Sequence, residues 1–93
     1  MNARTYDILW REIPVRITHT PERWGMIEHL EIESRNREPL PITETGYRSH
    51  FLPEAELQDY IGPVEYVTAW LDQEAESEAW KTRQDQARQF SLF

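Results

Sequence analysis

The amino-acid sequence predicts a small α+β domain, in which an antiparallel β-meander of three to five strands is packed by one or two C-terminal helices. Apolar residues alternate with polar ones in the first half of the 93 residues and recur at helical spacing in the second half. The 4 Trp, 4 Tyr and 3 Phe are more aromatic residues than an unfolded chain carries. A chain of this length forms one domain, which we predict over residues 1–88.

A β-hairpin is predicted at the start of the chain, where two alternating runs flank Arg11-Glu12. The apolar members of these runs are Tyr6, Ile8, Trp10, Ile13, Val15 and Ile17. Because Pro14 has no N–H to donate, the second strand either begins after it or places it at an edge or bulge. Thr20-Pro21-Glu22 then predicts a helix cap, followed by one short turn through Trp24 and Gly25.

Two further strands complete the predicted meander. The third begins at Ile27 and has Leu30 and Ile32 on one face, with His29, Glu31 and Glu33 on the other. It ends at the polar cluster 34–38, which indicates a turn. The fourth is short and contains Leu40 and Ile42, and the prolines around it confine it to an edge of the sheet, before Gly46 and residues 47–51. Pairing of two copies along this edge leaves a homodimer open as an alternative to a monomer.

Two helices are predicted in the second half. Gly62-Pro63 marks the start of the first, since proline is favoured at the first helical position. Its apolar stripe, which we expect to pack on the sheet and to run to about Ala75, contains Val64, Val67, Trp70 and Leu71. Ser77 predicts the cap of a second, shorter helix with Trp80, Gln84 and Ala87 on one face. Residues 89–93 are predicted to extend beyond this helix.

The composition excludes several classes of function. The chain has no cysteine, which removes disulfides, thiolate metal sites and a cysteine nucleophile. No long apolar run or leader is present, so we expect a cytoplasmic protein without a membrane partner. A domain this small buries roughly 60–65% of its unfolded surface and leaves little volume for a substrate cavity, so we predict no enzyme and no cofactor. The net charge of -7 disfavours direct binding to nucleic acid and favours protein partners.

The histidines offer only weak catalytic or metal-binding patterns. His19, His29 and His50 lack the spacing of a helical zinc site, although a sheet could bring the last two together. The polar segment Thr43–His50 is interpreted as a turn, because adjacent residues of an extended chain point to opposite faces and do not form a triad. A small enzyme built on His29, His50 and Glu44 is the third functional hypothesis.

The excess negative charge is concentrated in residues 51–80. This segment has no lysine or arginine, and its eight acidic residues are Glu54, Glu56, Asp59, Glu65, Asp72, Glu74, Glu76 and Glu78. The spacing of Glu65, Asp72 and Glu76 places them on one face of the predicted helix. With Glu74 and Glu78 they form the predicted acidic ridge, a candidate binding surface.

Two interpretations of the acidic ridge remain open. A charged face keeps a small protein soluble without any partner. Alternatively, its carboxylates mimic nucleic-acid phosphates and occupy the basic groove of a DNA-targeting defence complex, which defines an anti-CRISPR or antirestriction inhibitor. Binding of that kind weakens strongly as the salt concentration rises.

The chain ends in a short peptide that carries a recognisable pattern. Its residues are Gln89, Phe90, Ser91, Leu92 and Phe93. This peptide resembles the pentapeptide by which bacterial proteins bind the sliding clamp of the replicative DNA polymerase, with the consensus Gln, Leu, Ser or Asp, Leu, Phe. Four of the five positions agree, and Phe90 replaces the usual leucine. The resemblance implies that Gln89–Phe93 is a docking peptide for the clamp.

The chemistry of the peptide suits docking as well. Burial of Leu92 and Phe93 in a partner's pocket gives roughly 1.5–3 kcal/mol each before ordering costs. The amide of Gln89 donates and accepts hydrogen bonds and fixes the register, while Arg83 and Arg88 add positive charge. The alternative is that the apolar residues of the peptide fold back and complete the core of the domain itself.

A wider stretch, Pro39-Leu40-Pro41-Ile42-Thr43-Glu44-Thr45-Gly46-Tyr47-Arg48-Ser49-His50-Phe51, resembles small uncharacterised proteins of bacterial plasmids and prophages. The resemblance implies a non-enzymatic accessory protein of a mobile genetic element. Our leading hypothesis is therefore a binding protein that docks on the sliding clamp through residues 89–93, while its folded body acts on a second protein. The inhibitor of a DNA-targeting defence complex is the alternative.

Overall fold

The computed structural model describes residues 3–21 and 27–90, and it confirms the predicted α+β class. Four antiparallel strands follow one another in the sheet in chain order. They are β1 (Arg4–Trp10), β2 (Ile13–Pro21), β3 (Ile27–Ser34) and β4 (Tyr47–Pro53). The helices are α1 (Glu54–Leu57), α2 (Pro63–Glu74) and α3 (Glu78–Phe90), and a 3-10 turn spans Arg35–Arg37. The edges of the sheet are β1 and β4.

The predicted hairpin forms between β1 and β2. Trp10 pairs with Ile13, so Arg11 and Glu12 are the two turn residues, and both have positive φ angles of 47° and 71°. Such a turn matches the right-handed twist of the flanking strands. Pro14 lies within β2, at the end that extends past the β2–β3 ladder. The helical turn predicted after Thr20 lies mostly outside the described residues.

The predicted strand at Leu40 and Ile42 does not form, and this segment is a loop with one isolated bridge from Leu40 to Thr43. The prolines at 39 and 41 remove two backbone donors that a ladder would need. Leu40 and Ile42 are nevertheless buried, at 0% and 7% exposure, and extend the core. The fourth strand of the sheet is β4 instead. The homodimer hypothesis depended on pairing along an edge strand at Leu40 and Ile42, and that strand is absent from the described structure.

The core lies between one face of the sheet and the helices. Its fully buried side chains are Val15, Ile17, Leu30, Ile32, Leu40, Leu52, Val67 and Leu71. The opposite, outer face of the sheet carries polar pairs such as Arg16 with Asp7, at 2.9 Å between Nε and Oδ1. Helices therefore cover only one face of the sheet in the described chain, and the molecule is a two-layer domain.

The two predicted helices form where the sequence places their starts. Helix α2 begins at Pro63 after Gly62, as predicted. The backbone N–H of Trp80 donates to Oγ of Ser77 at 3.2 Å, so Ser77 caps α3. The short helix α1 was not predicted, since four residues carry too little periodicity to be recognised.

Candidate functional site

Asp72, a member of the predicted acidic ridge, has a structural role. Its Oδ1 atom accepts a hydrogen bond of 2.8 Å from Nε1 of Trp10, whose side chain is buried. Nη2 of Arg11 lies 3.9 Å from the same oxygen. Asp72 therefore fastens α2 to the β1–β2 hairpin, and its Oδ1 atom is already engaged within the domain.

The other carboxylates of the predicted acidic ridge lie in separate surroundings. Glu65 accepts a hydrogen bond of 3.1 Å from the backbone just before α2, and Glu76 lies 3.5 Å from the lysine of α3. Glu78 is exposed in the first turn of α3, whereas Glu74 lines a cleft beside β4. Residues two positions apart on a helix point in nearly opposite directions, which separates Glu74 from Asp72. The structure thus distributes the ridge over two sides of α2, the turn after it and the start of α3.

His29 and His50 lie on opposite faces of the sheet, so the structure does not bring them together. In the β3–β4 register, His29 is opposite Phe51 and His50 is opposite the buried Leu30. His29 shares the outer face with Ser49, and 2.7 Å separates Nε2 from Oγ. Side chains of adjacent strand residues alternate between faces, which explains this arrangement.

The remaining polar residues considered for catalysis pair with other partners. His19 contacts the buried Glu28, and Glu44 forms an ion pair with Arg83. Within residues 3–21 and 27–90, no cluster of three His, Asp or Glu side chains is arranged to hold a metal ion. The same described ranges contain no helix that is both long and apolar enough to span a bilayer.

A cleft between β4 and α2, here called the aromatic cleft, brings together residues from three parts of the chain. It is lined by His50, Glu56, Tyr60, Tyr66, Trp70 and Glu74, and its volume is about 310 Å³. Nε2 of His50 lies 3.2 Å from Oη of Tyr66, which is buried. The His50 and Trp70 ring centroids are 4.5 Å apart. The cleft therefore has walls that are largely aromatic.

The local sequence explains why these side chains meet. Tyr66 and Trp70 are four residues apart on α2 and so lie on the same side of the helix. His50 occupies the inner face of the edge strand β4, and Tyr60 lies in the turn between α1 and α2. The sequence interpretation assigns Trp70 to the core and misses the cleft. The sequence feature that could have indicated the cleft is the pair of aromatic residues, Tyr66 and Trp70, at helical spacing.

The surroundings of the cleft shift the pKa values of His50 and Tyr66 in the directions that favour the neutral imidazole and the neutral phenol. Burial lowers the pKa of His50 below its ordinary value of 6.5, and the positive charge of Arg48 lowers it further, while Glu56 opposes the shift. Burial raises the pKa of Tyr66 above its ordinary value of 10.0, and the negative charge of Glu56 raises it further. The imidazole and the phenol are therefore both neutral at pH 7.

The lowered pKa of His50 predicts a pH dependence of stability. Below pH 6.5 the unfolded chain binds a proton at His50, whereas the folded chain resists protonation until its lower pKa is reached. The free energy of unfolding is therefore expected to fall as the pH drops from about 7 through this window. Urea titrations of the wild type and of His50→Gln at several pH values measure this contribution, which the variant should lack. An equally steep dependence in the variant would contradict the assignment.

After Trp80, helix α3 contributes no buried side chain through Gln86, although Arg83 still contacts Glu44 of the loop before β4. Trp80 is 6% exposed, whereas none of the side chains from Lys81 to Gln86 is buried. Gln89 and Phe90, which the sequence interpretation places in an extended peptide, are the last residues of the helix. The remaining residues of that peptide, 91–93, lie outside the described residues.

The fold defines a small α+β domain in which helices cover one face of an antiparallel meander. A family model described as the KlcB third domain matches residues 3–80, and the chain belongs to this family. No curated protein and no solved structure matches the chain. The matched segment ends at Trp80, the residue after which no side chain of α3 is buried through Gln86.

Proposed function

We propose that this chain is a non-catalytic, cytoplasmic accessory protein of a mobile genetic element, which docks on the replicative sliding clamp through Gln89–Phe93. The observation that supports the proposal most is the low burial of the α3 side chains after Trp80. None of the six side chains from Lys81 to Gln86 is buried, and Arg83 is the one among them that is partly covered. A segment that the core does not need is free to serve a partner.

The length of α3 suits the presentation of a peptide. The helix rises about 1.5 Å per residue, so the ten residues that follow Trp80, through Phe90, add roughly 15 Å. The molecule is elongated, with extents of 51, 23 and 18 Å. Gln89 and Phe90 are the last residues of α3, nine and ten positions after Trp80, so a large ring-shaped partner that binds there meets less steric conflict with the folded body.

Two basic side chains of α3 form ion pairs within the domain itself. Arg83 forms an ion pair with Glu44, and Lys81 lies 3.5 Å from Glu76. The sequence interpretation assigns Arg83 a role toward the clamp, but its guanidinium already contacts the loop before β4. The specificity of the proposed docking therefore depends on the pentapeptide more than on the basic residues that precede it.

Surface plasmon resonance with the purified clamp tests the proposal. We expect the full chain to bind and the double variant Leu92→Ala/Phe93→Ala to bind at least roughly a hundredfold more weakly, because two apolar anchors are lost. The matched control Gln84→Ala/Gln86→Ala changes two exposed residues of α3 and should bind like the wild type. The melting temperatures of all three proteins should agree closely.

Two outcomes would contradict the docking function. Undiminished clamp binding by the double variant would show that the pentapeptide is not the anchor. A large loss of thermal stability in the double variant would instead show that the apolar residues complete the domain's own core. The thermal measurement therefore separates a docking peptide from a structural one.

The inhibitor of a DNA-targeting defence complex remains a second candidate. It is supported by the charge of residues 51–80, which include eight carboxylates and no lysine or arginine. The engagement of Asp72 with Trp10 means that the available carboxylates do not form one continuous row. Inhibition of a CRISPR or restriction nuclease that disappears steeply with added salt would support this candidate, and salt-independent inhibition would oppose it.

A further inference from the structure

The Tyr60, Tyr66 and Trp70 rings of the aromatic cleft are inclined to one another, whereas the His50 imidazole lies nearly parallel to the Tyr66 ring, at 20° and 6.1 Å between centroids. Tyr60 and Tyr66 have centroids 5.0 Å apart and planes at 87°, and Tyr66 and Trp70 have centroids 6.2 Å apart and planes at 62°. Because the rings are inclined, they form walls of different orientation around the cleft. An aromatic face carries a negative partial charge at its centre, so such walls attract cations.

Two carboxylates reinforce that preference for a cation. Glu56 and Glu74 line the aromatic cleft, and neither forms a salt bridge with any side chain in the described part of the protein. Both are exposed, so they are available to a ligand that enters from solvent. Among the described residues that line the cleft, there is no lysine or arginine that would neutralise them.

Trp70 already receives a guanidinium group from within the chain. The Cζ atom of Arg48 lies 5.4 Å from the Trp70 ring centroid, and its Nη1 donates to the carbonyl of Ile42 at 3.0 Å. Arg48 lines a different cavity, next to α3, and therefore does not fill the aromatic cleft. His50 is neutral at pH 7 and adds no repulsion on the cleft side.

From this arrangement we propose that the aromatic cleft binds the side chain of an arginine on a partner protein. The inference concerns the folded body and is independent of the C-terminal peptide. Arginine fits better than lysine because its planar guanidinium stacks on aromatic faces and donates in a fork that two carboxylates can accept. A phosphate or an acidic peptide is disfavoured by Glu56 and Glu74. The excess of carboxylates in residues 51–80 then attracts basic partners toward the cleft.

NMR titration of the full chain with blocked tripeptides tests the proposal. The probes are acetyl-Gly-Arg-Gly-amide, its lysine counterpart and its citrulline counterpart, which is nearly isosteric with arginine but neutral. We expect the arginine peptide to shift the ring signals of Tyr60, Tyr66 and Trp70 and to leave those of Trp10 unchanged. The lysine peptide should bind more weakly, and the citrulline peptide should produce no saturable shift.

Two pairs of charge-neutralising substitutions show whether the effect is local. Glu56→Gln/Glu74→Gln changes the cleft and should weaken binding of the arginine peptide by at least roughly fivefold. Glu38→Gln/Glu78→Gln removes the same charge from exposed positions away from the cleft and should change affinity by less than about twofold. Trp70→Leu retains an apolar side chain for packing and should weaken binding by about tenfold.

Several results would overturn the proposal. Equal binding of the citrulline peptide would exclude recognition of the positive charge, and tighter binding of the lysine peptide would exclude the guanidinium. Equal losses in the two glutamine pairs would assign the attraction to net charge alone. Ring shifts confined to residues outside the cleft would place the site elsewhere.

Discussion

Replacement of Gly46 by alanine is expected to destabilise the domain by at least about 3 kcal/mol, from a strained φ angle together with a steric clash. Gly46 has a φ of 79°, which L-residues with a side chain rarely adopt. A Cβ atom at this position would lie 2.4 Å from the carbonyl carbon of Arg37 and 2.6 Å from its Cα. Both contacts are with backbone, which cannot turn away as a flexible side chain can.

The two backbone segments that would clash, around Arg37 and around Gly46, are already constrained and cannot easily move apart. Asn36 and Arg37 have positive φ angles of 59° and 57°. The N–H of Ser34 donates to the carbonyl of Gly46 at 2.8 Å, which holds the end of β3 against the start of β4. An added methyl group would therefore separate two segments that a buried hydrogen bond joins.

Gly62→Ala is the matched control for this prediction. Gly62 has a φ of 179°, an extended conformation open to any residue, and a Cβ atom there would meet nothing within 4 Å. Its expected effect is within about 1 kcal/mol in either direction. Thermal unfolding followed by circular dichroism should show a loss of roughly 12 °C or more for Gly46→Ala. Similar losses for the two variants would contradict the steric explanation.

The elements that the sequence predicts correctly are those whose signal is local. The hairpin follows from alternation around Arg11-Glu12, and the start of α2 follows from Gly62-Pro63. The cap of α3 follows from Ser77 alone. In each case a short stretch of sequence contains the physical cause, whether it is side-chain period, a fixed φ angle or a hydroxyl acceptor.

The elements that the sequence misassigns depend on contacts between distant segments. Leu40 and Ile42 have the alternation of a strand, but the neighbouring prolines prevent a regular ladder. The segment is therefore a loop, and its two apolar side chains are nevertheless buried in the core. The fourth strand lies at residues 47–53, where one face is polar or exposed and the hydrophobic pattern is weak. Pairing with β3 supplies the stabilisation that the segment's own pattern does not indicate.

The acidic ridge shows the same limit for function. Helical spacing predicts Glu65, Asp72 and Glu76 on one face of a helix, but α2 ends at Glu74, before Glu76. The spacing also gives no information about what that face contacts. The partner of Asp72 is Trp10, which is 62 residues away in the sequence. The aromatic cleft likewise combines residues from β4, from α1 and the turn after it, and from α2, so only the folded chain reveals it.

Substitution of Trp10 by alanine is expected to destabilise the domain by about 3–5 kcal/mol, the range for removal of a large buried aromatic side chain. Trp10 is 4% exposed, and its ring centroid lies 6.1 Å from that of Trp80. Nε1 of Trp80 is buried and has no hydrogen-bond partner among the described residues, so the Trp80 side chain is held by apolar packing. The loss of Trp10 should therefore loosen α3 as well as the hairpin.

A double-mutant cycle with Asp72 separates the hydrogen bond from the packing. Trp10→Phe keeps an aromatic ring near Trp80 but loses the N–H, and Asp72→Ala leaves the indole N–H unpaired, so each should cost about 1.5–3 kcal/mol. The double variant should cost less than the sum of the single variants by at least about 0.5 kcal/mol, because both remove one interaction. Additive costs in urea unfolding would instead show that Asp72 does not fasten α2, and would return this carboxylate to the surface available for a partner.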